Sequence, residues 1–234
     1  MTELVAHHLP GAWGLQSISP FCLKLETYLR MTGIPSRAVV DATPFAGPKK
    51  KLPWIEHNGN RVGDSGFIIE YLEREFGCNP NAGLSDEQKV VAHALRRMLE
   101  ENLYFTLVYD RWMVDSNWLF FRDIVLGGIP LPVRRTVGPL IRRGVRKGLA
   151  GQGMGSHAGA EIHAIGIKDL TAVATLLADK SFLMGETPTE IDAVAYGLLA
   201  NILLVPIESP IKDAGLAQAN LVAYLDRIKA LYFS

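Results

Sequence analysis

LPWIEHNGNRVGDSGFIIEYLEREFG, residues 52–77, contains a hairpin signal followed at once by a helix signal. The dipeptide Asn58-Gly59 separates two short extended runs and is typical of a type I′ turn, because both residue types tolerate positive φ. Asp64 or Ser65 then caps a predicted helix through GFIIEYLEREF, which ends at a glycine. The stretch therefore predicts two antiparallel strands and a closing helix.

The preceding residues predict a parallel strand pair joined by a helix. Residues 4–9 and 37–40 form short extended runs, and apolar side chains recur at helical spacing over residues 20–32. Two strands joined in this way pack in parallel with a right-handed crossover. A loop at 42–51 leads on to the hairpin. The complete order, β-α-β and then β-β-α, predicts an α/β thioredoxin-like domain over residues 1–77.

Helical signals dominate the rest of the chain, so an all-α domain is predicted over residues 85–234, after a linker at 78–84. The linker, CNPNAGL, holds Pro, Gly and two Asn. Ser85, with Gln three residues later, forms a capping box that opens a long helix ending near Trp112. Further helices are predicted at 161–178, 189–204 and 214–231.

The charge balance and the cysteines narrow the class of protein. Lys plus Arg and Asp plus Glu both number 24, so the net charge is zero, and a nucleic-acid partner, which favours a basic excess, is not expected. No run approaches ~18 apolar residues, and the first residues lack a basic patch followed by an apolar run, so neither a membrane span nor a secretion signal is predicted. The two cysteines suggest no disulfide framework. A cytoplasmic protein is predicted.

Four segments, in order, resemble motifs of the cytosolic glutathione S-transferase superfamily. LPWI at 52–55 resembles its segment with a cis proline before the third strand, and DSGFIIEYL at 64–72 resembles its acid-serine pair at a helix start. FLMGETPTEIDAVAYG at 182–197 resembles its C-terminal capping-box motif. SPFCLKLETYLRMTGIP at 19–35 is similar to the branch with the failed-axon-connections, cadmium-responsive and metaxin proteins. The resemblance implies the two-domain glutathione transferase fold and a homodimer.

The resemblance also implies that glutathione binds to the first domain. Ser65, at a helix N-terminus, would offer an N–H and a hydroxyl to the γ-glutamyl carboxylate, and Asp64 would pair with the ammonium. A cis Pro53 would expose the N–H and C=O of Leu52 to the cysteinyl backbone. Lys51, or one of the two lysines before it, would meet the glycyl carboxylate. The alternatives are that Asp64 and Ser65 only cap the helix and that the lysines belong to a solvated loop.

Ser19 precedes Pro20 at a helix start, where it is an ordinary N-cap and, by the resemblance, the catalytic group. A hydroxyl hydrogen bond and a helix N-terminus both favour a thiolate, so Ser19 would lower the pKa of the bound glutathione thiol. Cys22 occupies the second position of a redox C-x-x-C motif, but serine at the first position disfavours dithiol exchange. We expect Cys22 to face the core, with a reactive thiol as the alternative.

Two segments of the helical half have more than one interpretation. YDRW at 109–112 places Tyr109, Arg111 and Trp112 where they would line a pocket for the second substrate, or else serve as core aromatics beside a surface ion pair. Between residues 124 and 160 there are six basic residues and no acidic one. They form a solvated face, or a face that attracts an anionic ligand, a partner or a membrane surface. These residues are Arg134, Arg135, Arg142, Arg143, Arg146 and Lys147, three of which share a face if their helix continues past Pro139.

The predicted function is that of a glutathione S-transferase, which conjugates the thiolate of its co-substrate glutathione to a small hydrophobic electrophile in detoxification. No metal is expected, because the neighbouring His7 and His8 lack a set of partner ligands. One alternative is a non-catalytic module that uses the same fold to bind a ligand or a partner. Glutathione-dependent disulfide reduction is a weaker alternative, because the first cysteine of C-x-x-C is missing.

Overall fold

The computed structural model describes residues 3–41 and 44–233, and the strands in these ranges form one mixed sheet. The strands are β1 (Leu4–His8), β2 (Ser36–Val40), β3 (Trp54–His57) and β4 (Asn60–Gly63). Their spatial order is β2-β1-β3-β4, with β1 parallel to β2 and β3 antiparallel to both β1 and β4. The predicted β-α-β and β-β-α units are therefore confirmed. Of the predicted loop at 42–51, residues 42 and 43 lie outside the described part of the chain.

The turn between β3 and β4 has the backbone that its sequence predicts. Asn58 has φ 50° and Gly59 has φ 77°, so both central residues are left-handed, as a type I′ turn requires. The turn sets His57 opposite Asn60. This register leaves Ile55 fully buried, so the hairpin completes the sheet over the first core.

Helices account for most of the remaining described chain. They are α1 (Pro20–Thr32), α2 (Ser65–Phe76), α3 (Asp86–Met98), α4 (Tyr104–Trp112), α5 (Asp115–Val125), α6 (Leu131–Gln152), α7 (Gly159–Leu177), α8 (Glu190–Leu203), α9 (Pro210–Leu216) and α10 (Ala219–Tyr232). A π-helical turn at Leu99–Leu103 joins α3 to α4, so the predicted long helix is confirmed with one widened turn inside it. The sequence pattern does not predict α5 or α9. Helix α6 does continue through Pro139. None of the described helices combines the length and the apolar content that crossing a bilayer requires.

Helix α8 packs directly against the start of α1. Every residue of α8 from Ile191 to Leu203 is buried. Gly197 makes close packing possible, because a Cβ there would lie 2.5 Å from the carbonyl oxygen of Pro20. Only glycine fits at this contact, so α8 determines how deeply the first turn of α1 is seated.

Candidate functional site

Three segments leave or enter the sheet at one edge. Strand pairing sets His7 opposite Trp54 and Trp54 opposite Gly63, so the C-terminal ends of β1 and β4 lie beside the N-terminal end of β3. The chain runs from β1 towards α1, passes Leu52-Pro53 just before β3, and enters α2 directly after β4. The topology therefore brings two helix starts and the Leu52-Pro53 segment to the same side of the domain.

Ser19 is the N-cap of α1. Its backbone is extended (φ −96°, ψ 122°), and its Oγ accepts a hydrogen bond from the Cys22 N–H at 3.4 Å. The Ser19 N–H donates to Ser17 Oγ at 3.2 Å, and Ser17 Oγ in turn donates to the Leu9 carbonyl at 2.9 Å. The Ser19 hydroxyl is half-buried at the positive end of the helix dipole. Its capping role is confirmed, and its role towards a thiol stays a prediction.

Cys22 points into the core, as expected. Its exposed fraction is 2%. Burial raises the pKa of the Cys22 thiol, and hydrogen bonds from Ser19, Leu9 and Ser17 only partly offset this effect. Because the thiolate is the reactive form, a buried neutral thiol is a poor nucleophile.

The Leu52–Pro53 peptide bond is cis, as the resemblance implied. Pro53 is buried and Leu52 is half-buried at the entrance to β3. Lys51 is exposed just before them, while Lys49 Nζ lies 3.9 Å from the centre of the Phe67 ring. The loop lysines therefore differ in surroundings, and Lys49 is held over an aromatic face.

Asp64 caps α2 with an unusual backbone. Its φ is 81° and its ψ is 122°, and its Oδ1 accepts a hydrogen bond from the Gly66 N–H at 3.0 Å. A non-glycine residue at positive φ costs on the order of 1–3 kcal/mol, and such residues cluster at ligand sites. The Asp64 side chain is exposed, whereas Ser65, the first residue of α2, is only 5% exposed.

Lys24 lies beneath Ser65 and is fully buried, with an exposed fraction of 0%. Its Nζ donates to Ser65 Oγ at 3.2 Å and to Glu100 Oε1 at 2.7 Å. Sequence reasoning missed this residue. The signal was present, because Lys24 falls three residues after Phe21 and four before Tyr28, on the apolar face of α1.

The buried carboxylate of Glu100 contacts three cationic side chains. Besides Lys24, its Oε2 accepts from Arg96 Nε at 3.0 Å and from Arg97 Nη2 at 3.0 Å. Arg96 also reaches Glu190 Oε1, at the start of α8, at 3.0 Å. Burial by itself would raise the pKa of Glu100, but Lys24 and Arg96 hold it below its ordinary value. Glu100 therefore joins α1 to α3, and Arg96 extends the network to α8.

The three residues of YDRW that were predicted to line a pocket, Tyr109, Arg111 and Trp112, have different surroundings. Arg111 is 3% exposed, and its Nη1 donates to the Ile18 carbonyl at 2.7 Å, immediately before Ser19. Burial lowers the pKa of Arg111 to about 10. The Tyr109 ring makes an edge contact with His163, at 5.9 Å between centroids. The Trp112 ring stacks on Trp118, at 5.0 Å. Their place in a pocket for a second substrate stays a prediction.

The His7 side chain contacts an aspartate and a tryptophan. Its Nδ1 lies 3.1 Å from Asp41 Oδ2, and its ring stacks on Trp54 at 3.6 Å between centroids. Among residues 3–41 and 44–233, no three His, Cys, Asp or Glu side chains gather in an arrangement that would hold a metal ion.

The sequence is similar to known glutathione S-transferases over nearly its whole length. A model of the glutathione S-transferase N-terminal domain matches residues 20–118, and one of the C-terminal domain matches residues 166–228. The isoprene-epoxide–glutathione S-transferase of Rhodococcus sp. (strain AD45) is 34% identical over 230 residues, covering 94% of this chain and 95% of that protein. Failed axon connections of Drosophila melanogaster is 33% identical over 228 residues, covering 92% of this chain and 54% of that protein, so the chain spans about half of it. Metaxin-1 of Macaca fascicularis is 28% identical over 232 residues, covering 95% and 73%.

Solved structures share the fold at low sequence identity. The glutathione transferase GSTFuA3 of Phanerochaete chrysosporium superposes with a TM-score of 0.69 at 15% identity, covering 100% of this chain and 99% of that chain. A glutathione S-transferase of Methylobacterium radiotolerans, solved with glutathione sulfonate, gives a TM-score of 0.65 at 18% identity, covering 98% and 91%. The predicted fold, a thioredoxin-like α/β unit followed by a helical unit, is confirmed.

Proposed function

We propose that this chain, which belongs to the glutathione S-transferase family, binds glutathione and transfers its thiolate to a small hydrophobic electrophile. The observation that carries the proposal is the convergence of two helix starts and the Leu52-Pro53 segment at one edge of the sheet. Free N–H groups at a helix start favour an anion, and an unpaired backbone segment offers hydrogen bonds to a peptide. Glutathione carries both features.

The contacts follow from these elements. Ser65 and the start of α2 receive the γ-glutamyl carboxylate, and the exposed Asp64 carboxylate pairs with the ammonium beside it. The backbone of Leu52 pairs with the cysteinyl residue in the manner of an added strand. Lys51 meets the glycyl carboxylate as a point charge.

Ser19 acts on the sulfur. A free thiol has a pKa near ~8.5, and a hydroxyl hydrogen bond together with the positive end of α1 lowers it. An epoxide is a fitting electrophile class, given the relative named for isoprene epoxide. The thiolate attacks an epoxide carbon, a C–S bond forms, the C–O bond breaks, and the resulting alkoxide takes a proton from water. Tyr109, Arg111 and Trp112 are proposed to border the electrophile.

Calorimetry with glutathione tests the proposal. We expect binding at millimolar glutathione or below, and similar binding of S-methylglutathione, which keeps every group except the free thiol. Asp64→Asn keeps the shape of the cap but removes the charge that faces the ammonium, so it should weaken both ligands. Mass spectrometry after incubation with glutathione and a small epoxide should find the conjugate. No measurable binding at millimolar glutathione contradicts the proposal.

A second candidate is a module that binds glutathione or a partner without turnover. Its support is that Ser19 Oγ already caps α1 and contacts the buried Cys22, and that some relatives are not named as transferases. Binding without any conjugate across a panel of electrophiles would favour this candidate. Detection of a conjugate would exclude this second candidate.

The assembly and setting are part of the proposal. We expect a cytoplasmic homodimer that acts in detoxification, with glutathione as the co-substrate and without a metal, a membrane span or a nucleic-acid partner. Size-exclusion chromatography with light scattering measures the dimer directly, and a monomeric mass contradicts it.

A further inference from the structure

A fully buried ammonium beneath a proposed ligand site requires an explanation. Moving such an ion out of water costs several kcal/mol unless close partners offset the cost. Lys24 has two such partners in the described chain, Glu100 at 2.7 Å and Ser65 at 3.2 Å. The Glu100 carboxylate compensates the positive charge of Lys24. A hydroxyl is a weak partner for an ammonium, so the contact with Ser65 is better explained by its effect on the serine.

Lys24 fixes which way the Ser65 hydroxyl donates. A lysine ammonium has three donors and no acceptor, so Ser65 Oγ must accept in this contact. The single proton of Ser65 is then directed elsewhere. Within residues 3–41 and 44–233, the hydrogen bond from Lys24 is the only one that involves the Ser65 side chain, so no acceptor takes this proton. Ser65 is 95% buried, with an exposed fraction of 5%, and such donors normally have a partner.

A network of ion pairs surrounds this serine. The cations Lys24, Arg96 and Arg97 contact three carboxylates, Glu100, Glu101 and Glu190. The three positive and three negative charges balance, so the network acts on the start of α2 through the positions of its cations and not through a net charge.

The Arg96 guanidinium lies at the first turn of α2. A side chain at Gly66 would collide with this guanidinium, so the arginine lies against that turn. Asp64 stands on the outer side of the same turn, with its side chain exposed. The site therefore matches a neighbouring carboxylate and ammonium, the two charges of an α-amino acid.

We propose that Lys24 is a positioning residue for the γ-glutamyl carboxylate, an inference that rests on the proposed function. Lys24 donates to one lone pair of Ser65 Oγ, and the serine donates its proton to the ligand carboxylate. The buried ammonium also adds charge to the dipole of α2. Lys24 itself does not touch the ligand. It makes the site selective for thiol peptides that keep the α-carboxylate.

A cycle that combines protein variants with ligand variants tests this role. The ligands are glutathione and 4-aminobutanoyl-cysteinylglycine, which lacks only the α-carboxylate. In the unaltered protein we expect its removal to weaken binding by about 10-fold or more, the usual size for a charged hydrogen bond. In Lys24→Met we expect the two ligands to differ by less than about 3-fold. Ser65→Ala should shrink the ratio in the same way, because the effect passes through that hydroxyl.

The ratio of the affinities for the two ligands distinguishes a positioning role of Lys24 from a purely structural one. A purely structural lysine would weaken both ligands equally, so an unchanged ratio in Lys24→Met overturns the inference. Lys212→Met is the matched control, because Lys212 lies on another helix, α9, and also pairs with a glutamate, at 2.9 Å. It should leave both affinities unchanged.

Further variants keep the test decisive. If Lys24→Met does not fold because Glu100 Oε1 loses its partner, Lys24→Met with Glu100→Gln removes both charges. If that variant also fails to fold, Ser65→Ala decides, and an unchanged ratio there overturns the inference. Absence of glutathione binding by the unaltered protein overturns both the proposed function and this role. Binding with an unchanged ratio overturns this role alone.

Discussion

Arg111 and Asn201, on two different helices, are joined by a pair of hydrogen bonds. Arg111 Nη2 donates to the backbone carbonyl of Asn201 at 2.7 Å and to its Oδ1 at 2.8 Å. The other terminal nitrogen, Nη1, donates to the Ile18 carbonyl at 2.7 Å. One buried guanidinium thus holds α4, α8 and the residue that precedes Ser19. The position of the α1 cap therefore depends on a contact between residues far apart in sequence.

Arg111→Met should destabilise the fold strongly. The change leaves the carbonyls of Ile18 and Asn201 and the side-chain oxygen of Asn201 without their donor, and each buried acceptor left unpaired costs about 1–3 kcal/mol. Urea unfolding followed by circular dichroism measures the loss. Arg143→Met, at an exposed position of α6, is the control and should shift stability by less than about 0.5 kcal/mol. A variant with unchanged stability but a higher KM for the electrophile would assign Arg111 to the second-substrate pocket instead.

Ser19→Ala should lower the conjugation rate much more than it lowers stability. The loss of the cap costs about 1 kcal/mol, while the loss of the hydroxyl raises the pKa of the bound thiol. The pH dependence of kcat/KM should shift to higher pH, with glutathione affinity nearly unchanged. Ser209→Ala is the matched control, because Ser209 also caps a helix with proline at its first position and accepts from Lys212 N–H at 3.2 Å. Equal rate losses in the two variants would remove Ser19 from the chemistry.

Asp169→Asn should stabilise the protein at neutral pH and not in acid. Burial raises the pKa of Asp169 from 3.8 to about 6, although its Oδ2 accepts from Asn102 at 2.8 Å. A raised carboxyl pKa means that the ionised form is disfavoured in the fold. The cost is complete above pH 6, falls as the pH drops from 6 to 3.8, and is absent below. We expect the Tm of the variant to be higher by about 2–4 °C at pH 8. The difference should disappear near pH 4, and a pH-independent difference would contradict the assignment.

Asp192→Ala should be among the most destabilising changes in the helical half. Asp192 is fully buried at the start of α8 and accepts from Leu183 N–H, Thr189 N–H and Tyr224 OH at 2.8–2.9 Å. Removing the carboxylate leaves these donors unpaired, at about 1–3 kcal/mol each. Differential scanning calorimetry should show a large fall in Tm or no folded protein. Glu161→Ala alters the same capping position on α7 at an exposed site and should cost about 1 kcal/mol.

The local elements of the first domain are predictable because their signals lie within a few residues. Asn58-Gly59 encodes its turn through permitted φ values, and Ser19-Pro20 encodes a helix start through capping. The cis bond at Pro53 is different, because composition alone does not favour it and only the resemblance implied it. Helix α5 is missed because its start lacks a side-chain cap.

By itself, the sequence determined the order of strands and helices over residues 1–77, the turn at Asn58-Gly59 and the residues that begin α1, α2 and α3. These depend on periodicity and on hydrogen bonds between near neighbours. Only the tertiary structure decided which groups pair with the buried Lys24 and Arg111, and that Ser65 accepts a hydrogen bond from Lys24. The physical reason is that a charge can be buried only where distant partners compensate it. The partner of Lys24 lies 76 residues away and that of Arg111 lies 90 residues away. No sequence pattern among near neighbours predicts contacts between residues so far apart.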